Sequence, residues 1–321
     1  FWSDAHAALG FRRLAIFDPT PSGDQPMRTP DGGGVLVYNG ALYNYRELRR
    51  ELEAAGLRFR SRGDAEVVLH ALAHWGRAAL ARFDGMFALA WYDLRERCLL
   101  LARDHAGMKP LYLLRGARGF AFASQFDQIV RHPWSRDAAL SPAALGLHLR
   151  LGYVPAPFAL LERTEQVPAG SWLELRADGR ERSGRFFDLP VYRPPDLAGP
   201  AADEAVEAAV SAAVRRHLRA DVPLGVFLSG GVDSPLVAAL AAEIAGAGHV
   251  VAHLTPAGAL DLLDDVVAAC KEPLADYSIF PTLFVSRQAR ARVKVALSGD
   301  GGDELFWGYT GRFGALLSRV D

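Results

Sequence analysis

Cysteine is nearly absent from this 321-residue chain, which has only Cys98 and Cys270. They lie far apart in apolar surroundings, so a disulfide framework and a Cys-x-x-Cys metal or redox site within the chain are both excluded. A reducing compartment is expected. Lysine is also scarce: Lys109, Lys271 and Lys294 stand among a basic complement that is otherwise arginine, a bias ascribed to codon composition. No charge of one sign prevails, with 36 Lys plus Arg against 37 Asp plus Glu. There is thus no overall field to draw nucleic acid or anionic membrane. No apolar run reaches the ~18 residues of a membrane span, and no charged-then-apolar signal opens the chain. A cytoplasmic protein without nucleic-acid or membrane partners is expected. Internal repeats and low-complexity tracts are missing too. What remains is 50% hydrophobic and long enough for two domains with their own cores.

The two halves differ in pattern. Residues 1–188 read as short strands with two embedded helices. Strands are expected at 35–38, 86–92, 98–103, 110–114 and 120–123, with turns at 93–96 and 115–118. The helices are expected at 44–55 and at 66–75, the latter with Asp64 as its cap. Helices flanking many antiparallel strands point to an α/β/β/α sandwich. Residues 202–321 alternate helices (204–218, 235–245, 260–270, 282–290) with apolar strands (224–228, 293–297), as in a parallel sheet covered on both faces. Between them lies a linker, 189–201, in which Pro190, Pro194, Pro195, Gly199 and Pro200 can sustain neither a helix nor a central strand.

The segment 226–234, Val-Phe-Leu-Ser-Gly-Gly-Val-Asp-Ser, runs from an apolar strand through a glycine-hinged loop into a helix. That order makes a phosphate cradle. Gly230 and Gly231 let backbone N–H groups approach oxygens, Ser229 and Ser234 add hydroxyls, and the helix points its positive end inward. Asp233 adds a carboxylate suited to Mg²⁺. A Walker loop would need a lysine after the second glycine and a longer glycine spacing. Pyrophosphate leaving ATP is therefore expected, rather than a transferred γ-phosphoryl.

A second glycine loop, Ser298-Gly-Asp-Gly-Gly-Asp-Glu304, follows the other apolar strand. Both loops should emerge at carboxyl ends of strands, where open α/β sheets bind ligands. Asp300, Asp303 and Glu304 repel one another unless a cation or proton sits among them, and with Asp233 they are suited to holding Mg²⁺ against the phosphates of ATP. The bland alternative is a solvated turn capping the next helix.

These segments, together with 12–18 (Arg-Arg-Leu-Ala-Ile-Phe-Asp), 39–49 (Asn-Gly-Ala-Leu-Tyr-Asn-Tyr-Arg-Glu-Leu-Arg) and 102–112 (Ala-Arg-Asp-His-Ala-Gly-Met-Lys-Pro-Leu-Tyr), resemble the glutamine-dependent asparagine synthetase family. The resemblance covers nearly the whole chain. It implies a class II amidotransferase domain of the N-terminal-nucleophile type over 1–188 and a doubly wound ATP-pyrophosphatase domain over 202–321. The substrates implied are glutamine, ATP and a carboxylate acceptor, by default aspartate, which is adenylated and then amidated by ammonia. Mg²⁺ and a homodimer are implied as well. Residue by residue, Arg13, Asn39, Gly40 and Asp64 fall where the family binds glutamine, with Asn39 and Gly40 donating to the oxyanion. Leu228, Ser229, Gly230, Gly231, Asp233, Ser234, Ser298 and Gly299 fall on the ATP and pyrophosphate site. Asp233 and Asp303 match the metal carboxylates, and Asp300 matches a catalytic acidic position near the adenylate.

The chain departs from the family pattern in four places. The family nucleophile is an N-terminal Cys, whereas here no Cys precedes Cys98, which should be a buried, inert thiol. Ala41 stands where the family has Glu. One βα unit is short near 246–253, and the region after the acidic loop ends at Asp321. The first two departures point to an alternative resembling β-lactam synthetase, acting on another carboxylate without hydrolysing glutamine. A catalytically dead scaffold has no use for the clustered carboxylates, and a tRNA-thiolating enzyme lacks its paired cysteines and basic groove here. Trp75, Trp91 and Trp172 are expected in the core, Lys109 in an anchoring role, and His6, His70, His74 and His105 at the surface or in packing rather than in a metal site.

Overall fold

The computed structural model of the chain describes every residue except Tyr192, Pro194, Pro195, Ala247, His249, Trp307 and residues 309–321. The chain forms two compact units: Phe1–Tyr192 with Leu262–Ile279, and Arg193–Asp261 with Phe280–Asp321.

The first unit opens with a hairpin of β1 (Trp2–Ser3) and β2 (Ala8–Leu9), then β3 (Met27–Arg28) and the long β4 (Gly34–Leu42). Helices α1 (Tyr45–Ala54) and α2 (Asp64–Trp75) follow, and then strands β5 (Gly85–Asp93), β6 (Cys98–Arg103), β7 (Tyr112–Gly116) and β8 (Gly119–Ala123). Next come α3 (Phe126–Arg131), α4 (Pro142–Leu151), β9 (Thr164–Gln166), β10 (Ser171–Arg176) and β11 (Glu181–Arg185). One sheet has the order β11-β10-β6-β5-β4-β3 and a second the order β8-β7-β9, with antiparallel neighbours throughout.

Period-two alternation builds the layers. Val35 and Val37 of β4 join Leu101, Leu113, Val167 and Leu173 in one core, while Leu36 and Tyr38 join Leu48, Leu52, Val67 and Leu72 of the two helices in another. On the far side, Tyr112 and Leu114 meet Phe126 and Ile129 of α3. The expected α/β/β/α sandwich is thus present. Trp91 is buried, Trp75 and Trp172 pack against the helix-side core, and Cys98 is buried with its thiol pushed up by burial.

Several elements differ from expectation. The β4 and β5 strands are longer than their apolar centres, because nine residues of each pair in continuous register from Gly34↔Asp93 to Leu42↔Gly85. Helices α3 and α4 and strands β9 to β11 were not expected. The burial of β11 is nearly nil, so it has no apolar alternation to read. Gly63, not Asp64, is the N-cap of α2, and no side chain caps it. His70 is buried, with Nε2 3.7 Å from Glu66 Oε1. The segment Leu262–Ile279, expected within the second domain, gathers with the first unit. There the Ala275 amide donates to the Gly152 carbonyl at 2.7 Å, and Tyr112 Oη donates to Glu272.

In the second unit, α5 (Pro200–His217) leads to β12 (Leu224–Val226), α6 (Asp233–Ala245) and α7 (Pro256–Leu260). The chain then passes through α8 (Leu263–Ala269) of the first unit to α9 (Ile279–Arg290), β13 (Val295–Leu297) and the short α10 (Gly302–Phe306). The helix expected from 204 begins inside the linker at Pro200, because proline's fixed φ suits the first helical position. Of the linker, Tyr192, Pro194 and Pro195 lie outside the described residues, as do Ala247 and His249 of the shortened segment. Strands β12 and β13 pair in parallel from Leu224↔Val295 to Val226↔Leu297. Among the described residues this sheet has two strands, and except for Leu297 they are half-buried rather than covered on both faces.

Candidate functional site

Chemically equipped residues gather in each unit separately. In the first, they surround β4. Asn39 and Gly40 are half-buried in the strand, opposite Ala88 and Phe87 of β5. A Cβ on Gly40 would come 2.9 Å from Phe87 Cα, so only glycine lets the strands approach here. Asp64, at the first turn of α2, is buried, and its Oδ2 accepts from Tyr38 Oη at 3.0 Å and from the Leu42 amide at 2.9 Å. Burial pushes its carboxyl up to about 6 against the lowering effect of those hydrogen bonds.

Arg13 is held by its own loop. Its guanidinium donates to the carbonyls of Thr20 at 2.8 Å, Phe17 at 2.9 Å and Asp18, and Nη1 pairs with Asp24 at 3.3 Å. Gly23 lies against it, where a Cβ would be 2.7 Å from Cζ. Arg13 therefore spends its terminal nitrogens on shaping the loop. Ala41, at the position where the resemblance expects a glutamate, is buried in the helix-side core.

Four residues that the sequence reading passed over organise this region. Asp18 is buried and accepts hydrogen bonds from both its own loop and the Arg62 amide. Gln25 docks on Tyr38 through both amide atoms, accepting from the Tyr38 N–H at 2.6 Å and donating to its carbonyl at 3.0 Å. Asp104 is buried and accepts from the amides of Phe87, Met108 and Lys109 at 2.9–3.0 Å. Arg103 donates to the carbonyls of Gly107, Lys109 and Val167. The turn expected to be anchored by Lys109 is thus anchored by Arg103 and Asp104. Asp18, Arg103 and Asp104 lie within the quoted motifs, and the aspartate before Pro19 was the available signal.

In the second unit, both glycine loops leave the carboxyl ends of β12 and β13, as expected. Leu228 is exposed beyond the strand end, and Phe227 still donates to the Leu297 carbonyl at 2.8 Å. Ser234 Oγ accepts from the Ser229 amide at 2.9 Å and shares a 2.6 Å bond with Ser229 Oγ, which in turn accepts from the Gly231 amide at 3.3 Å. The two hydroxyls therefore hold the loop closed on the helix start. A Cβ on Gly230 would meet nothing within 4 Å.

The loops interlock. A Cβ on Gly299 would lie 2.7 Å from the Ser234 amide nitrogen and 3.0 Å from Asp233 Cβ, and one on Gly302 would lie 3.0 Å from Asp233 Cβ. Asp233 thus rests on the backbone of the acidic loop. Asp300 accepts from Ser298 Oγ at 2.9 Å, and Asp303 lies in the first turn of α10. Among the described residues, no group of three or more His, Cys, Asp or Glu is arranged to hold a metal. Asp233 and Asp303 offer carboxylate oxygens, the ligand type that Mg²⁺ takes alongside waters and substrate phosphates rather than in an all-protein cage.

A family profile described as "Glutamine amidotransferase domain" matches residues 1–187, and one described as "Asparagine synthase" matches 205–247 and 241–321. A Mycobacterium tuberculosis protein named by inference as a glutamine-hydrolyzing asparagine synthetase is 37% identical over 344 residues, covering 94% of this chain and 52% of its own length. The glutamine-hydrolyzing asparagine synthetase 1 of Bacillus subtilis is 32% identical over 337 residues, covering 96% and 53%. The chain spans about half the length of the curated relatives it matches. Among solved structures, the glutamine phosphoribosylpyrophosphate amidotransferase of B. subtilis, complexed with ADP and GMP, is 18% identical with a TM-score of 0.37, over 79% of this chain and 55% of that one. No described helix is long and apolar enough to cross a membrane.

Proposed function

The chain belongs to the glutamine amidotransferase domain family, continued by an asparagine synthase domain, and from that premise we propose that it forms an amide from a carboxylate and glutamine-derived nitrogen, driven by cleavage of ATP to AMP and pyrophosphate. Aspartate, giving asparagine, is the default acceptor. The observation that carries this reading is the interlock of Asp233 with Gly299 and Gly302 at the ends of two parallel strands. It joins a phosphate-type loop to an acidic loop at the edge where such sheets bind ligands.

In the glutamine half, Asp64 is read as the partner of the substrate ammonium. Asn39 and Gly40 are read as donors to the oxyanion that develops on the side-chain carbonyl. Arg13 keeps the neighbouring loop in shape. In the nucleotide half, the Ser229–Ser234 loop and the start of α6 are read as receiving the departing pyrophosphate, because the N–H groups of a helix start and the helix dipole favour negative charge there. Asp233 and Asp303 would hold Mg²⁺, which when bound neutralises phosphate charge. Asp300, which accepts from Ser298 Oγ, is read as the acidic residue that orients the attacking ammonia. Adenylation turns a poor carboxylate oxygen into a good leaving group, and keeping water away preserves the acyl-adenylate for ammonia. A cytoplasmic setting is proposed from the ATP and glutamine pools such an enzyme draws on. A homodimer is proposed from the family resemblance.

The test is to incubate the protein with ATP, Mg²⁺, aspartate and either glutamine or an ammonium salt, and to assay AMP, pyrophosphate and asparagine. AMP formation with another carboxylate but not aspartate would remove the default acceptor. Failure of ATP–pyrophosphate exchange with every carboxylate would remove carboxylate activation itself.

A further inference from the structure

We propose that Asp18 is a positioning residue for the glutamine half, a clasp that fixes the loop carrying Arg13 to the start of the helix carrying Asp64. The proposal rests on the amidotransferase reading of the first unit and extends it to a residue to which no role in that reading is assigned.

Asp18 is only 5% exposed, and its backbone is left-handed with φ 44°. Among non-glycine residues, Asp and Asn tolerate that conformation best, so the sharp reversal is compatible with this side chain. Its two oxygens then divide their work. Oδ1 accepts from the Thr20 amide at 3.2 Å and from Thr20 Oγ, closing the reversal locally. Oδ2 accepts from Ser22 Oγ at 3.1 Å and from the Arg62 amide at 2.8 Å, across 44 residues of sequence.

The backbone carbonyl of Asp18 receives the Arg13 guanidinium, which also holds the Phe17 and Thr20 carbonyls. On the other side, Gly63 approaches so closely that a Cβ there would be 3.2 Å from Asp18 Cβ. Arg62 and Gly63 immediately precede Asp64, whose Oδ2 is fixed by Tyr38 and Leu42 of β4. Hydrogen bonds therefore run from Arg13 through Asp18 to the Arg62 amide, two residues before Asp64 in the chain. Two segments that no strand pairing joins are held in one geometry.

The chemistry calls for a carboxylate. Four donors point at Asp18, and an ionised carboxylate accepts all of them without offering a donor of its own. An asparagine keeps the volume and the left-handed preference but turns one oxygen into an NH₂ that faces N–H and O–H donors. Asp18→Asn therefore removes the clasp while leaving size and backbone preference in place.

The test compares wild type, D18N and D18E by glutamine kinetics and by amide hydrogen exchange. For D18N, the expected result is a rise of about tenfold or more in KM for glutamine with kcat within about threefold. Exchange should quicken at both 19–24 and 60–64, and ammonium-driven amide formation should be unchanged. D18E, which retains the charge on a longer stem, should recover part of the KM. Unchanged exchange at 60–64, or an unchanged glutamine KM in D18N, overturns the clasp. If wild type neither binds nor hydrolyses glutamine, the amidotransferase reading fails, and the clasp fails with it only if exchange at 60–64 is also unmoved by D18N.

Discussion

Tyr38 and Asp64, 26 residues apart in sequence, meet at 3.0 Å between the phenol and Oδ2 in the layer between β4 and α2. The same oxygen takes the Leu42 amide, so both residues fix the end of β4 that carries Asn39 and Gly40. Burial raises the Asp64 carboxyl to about 6, while the hydrogen bonds oppose that rise.

A pH dependence follows from that value. If the ionised form holds the substrate ammonium, KM for glutamine should climb by about tenfold per unit as pH falls below about 6. Asp64→Asn should flatten the profile at a high KM. Tyr38→Phe should move the midpoint upward, because it removes a donor to the carboxylate. The stability linkage has its own sign: a carboxyl raised in the folded state stabilises most when protonated. Its contribution is full below the unfolded value near ~3.9 and is lost as pH rises through about 6.

Asp18 and Glu66 behave oppositely. Burial raises each, but hydrogen bonds outweigh it. Asp18 is held down at about 2 by Thr20, Arg62 and Ser22, and Glu66 at about 2 by His70, whose Nε2 lies 3.7 Å away, and by hydrogen bonds from the Arg60 amide and from Ser61. Both contribute stability that is present above the unfolded values near ~4 and lost as pH falls toward about 2. Denaturant unfolding at pH 7 and pH 3 should show Glu66→Gln costing on the order of 2 kcal/mol at pH 7 and much less at pH 3. An equal cost at both would show that charge is not what Glu66 contributes.

Glycine substitutions separate packing from ligand approach. Gly299→Ala places a methyl 2.7 Å from the Ser234 amide nitrogen, so it should lower ATP–pyrophosphate exchange at least tenfold and also lower Tm. Gly230→Ala meets open space, so Tm should hold and any loss of exchange should appear as a raised KM for ATP. Equal Tm losses in the two variants would contradict the interlock.

For the oxyanion assignment, Asn39→Ala should lower kcat for glutamine about 10²- to 10³-fold with little change in KM. Gly40→Ala should instead destabilise by about 1–3 kcal/mol, because its Cβ would meet Phe87 backbone at 2.9 Å. Kinetics and thermal unfolding of the two variants distinguish the roles.

Some of the fold could be read locally. Strands β4 to β8 show apolar runs broken by turn residues such as Asp93, whose Oδ1 accepts from the amides of Arg95 and Glu96. The glycine loops followed apolar strands, and strand-to-loop order is a local property. Strand β11 was illegible because it is solvated and held by pairing with β10 alone. Asp18, Gln25 and Asp104 were illegible as organisers because their side chains serve backbone amides of distant segments, Arg62, Tyr38 and Phe87. No periodicity marks an acceptor whose donor lies 13, 17 or 44 residues away.

By itself the sequence determined the sandwich of the first half, the parallel pairing of the two apolar strands in the second, and the positions of the two glycine loops. These depend on local backbone preference and on alternation of apolar residues, which are written residue by residue. Tertiary structure decided the rest: that Asp64 faces β4 instead of capping its own helix, that Arg13 is bound within its loop, and that Asp233 seats on Gly299 and Gly302. Each is a matter of which polar group is nearest once apolar faces are buried. A buried donor or acceptor must find a partner at about 3 Å, and only packing determines which one is within reach.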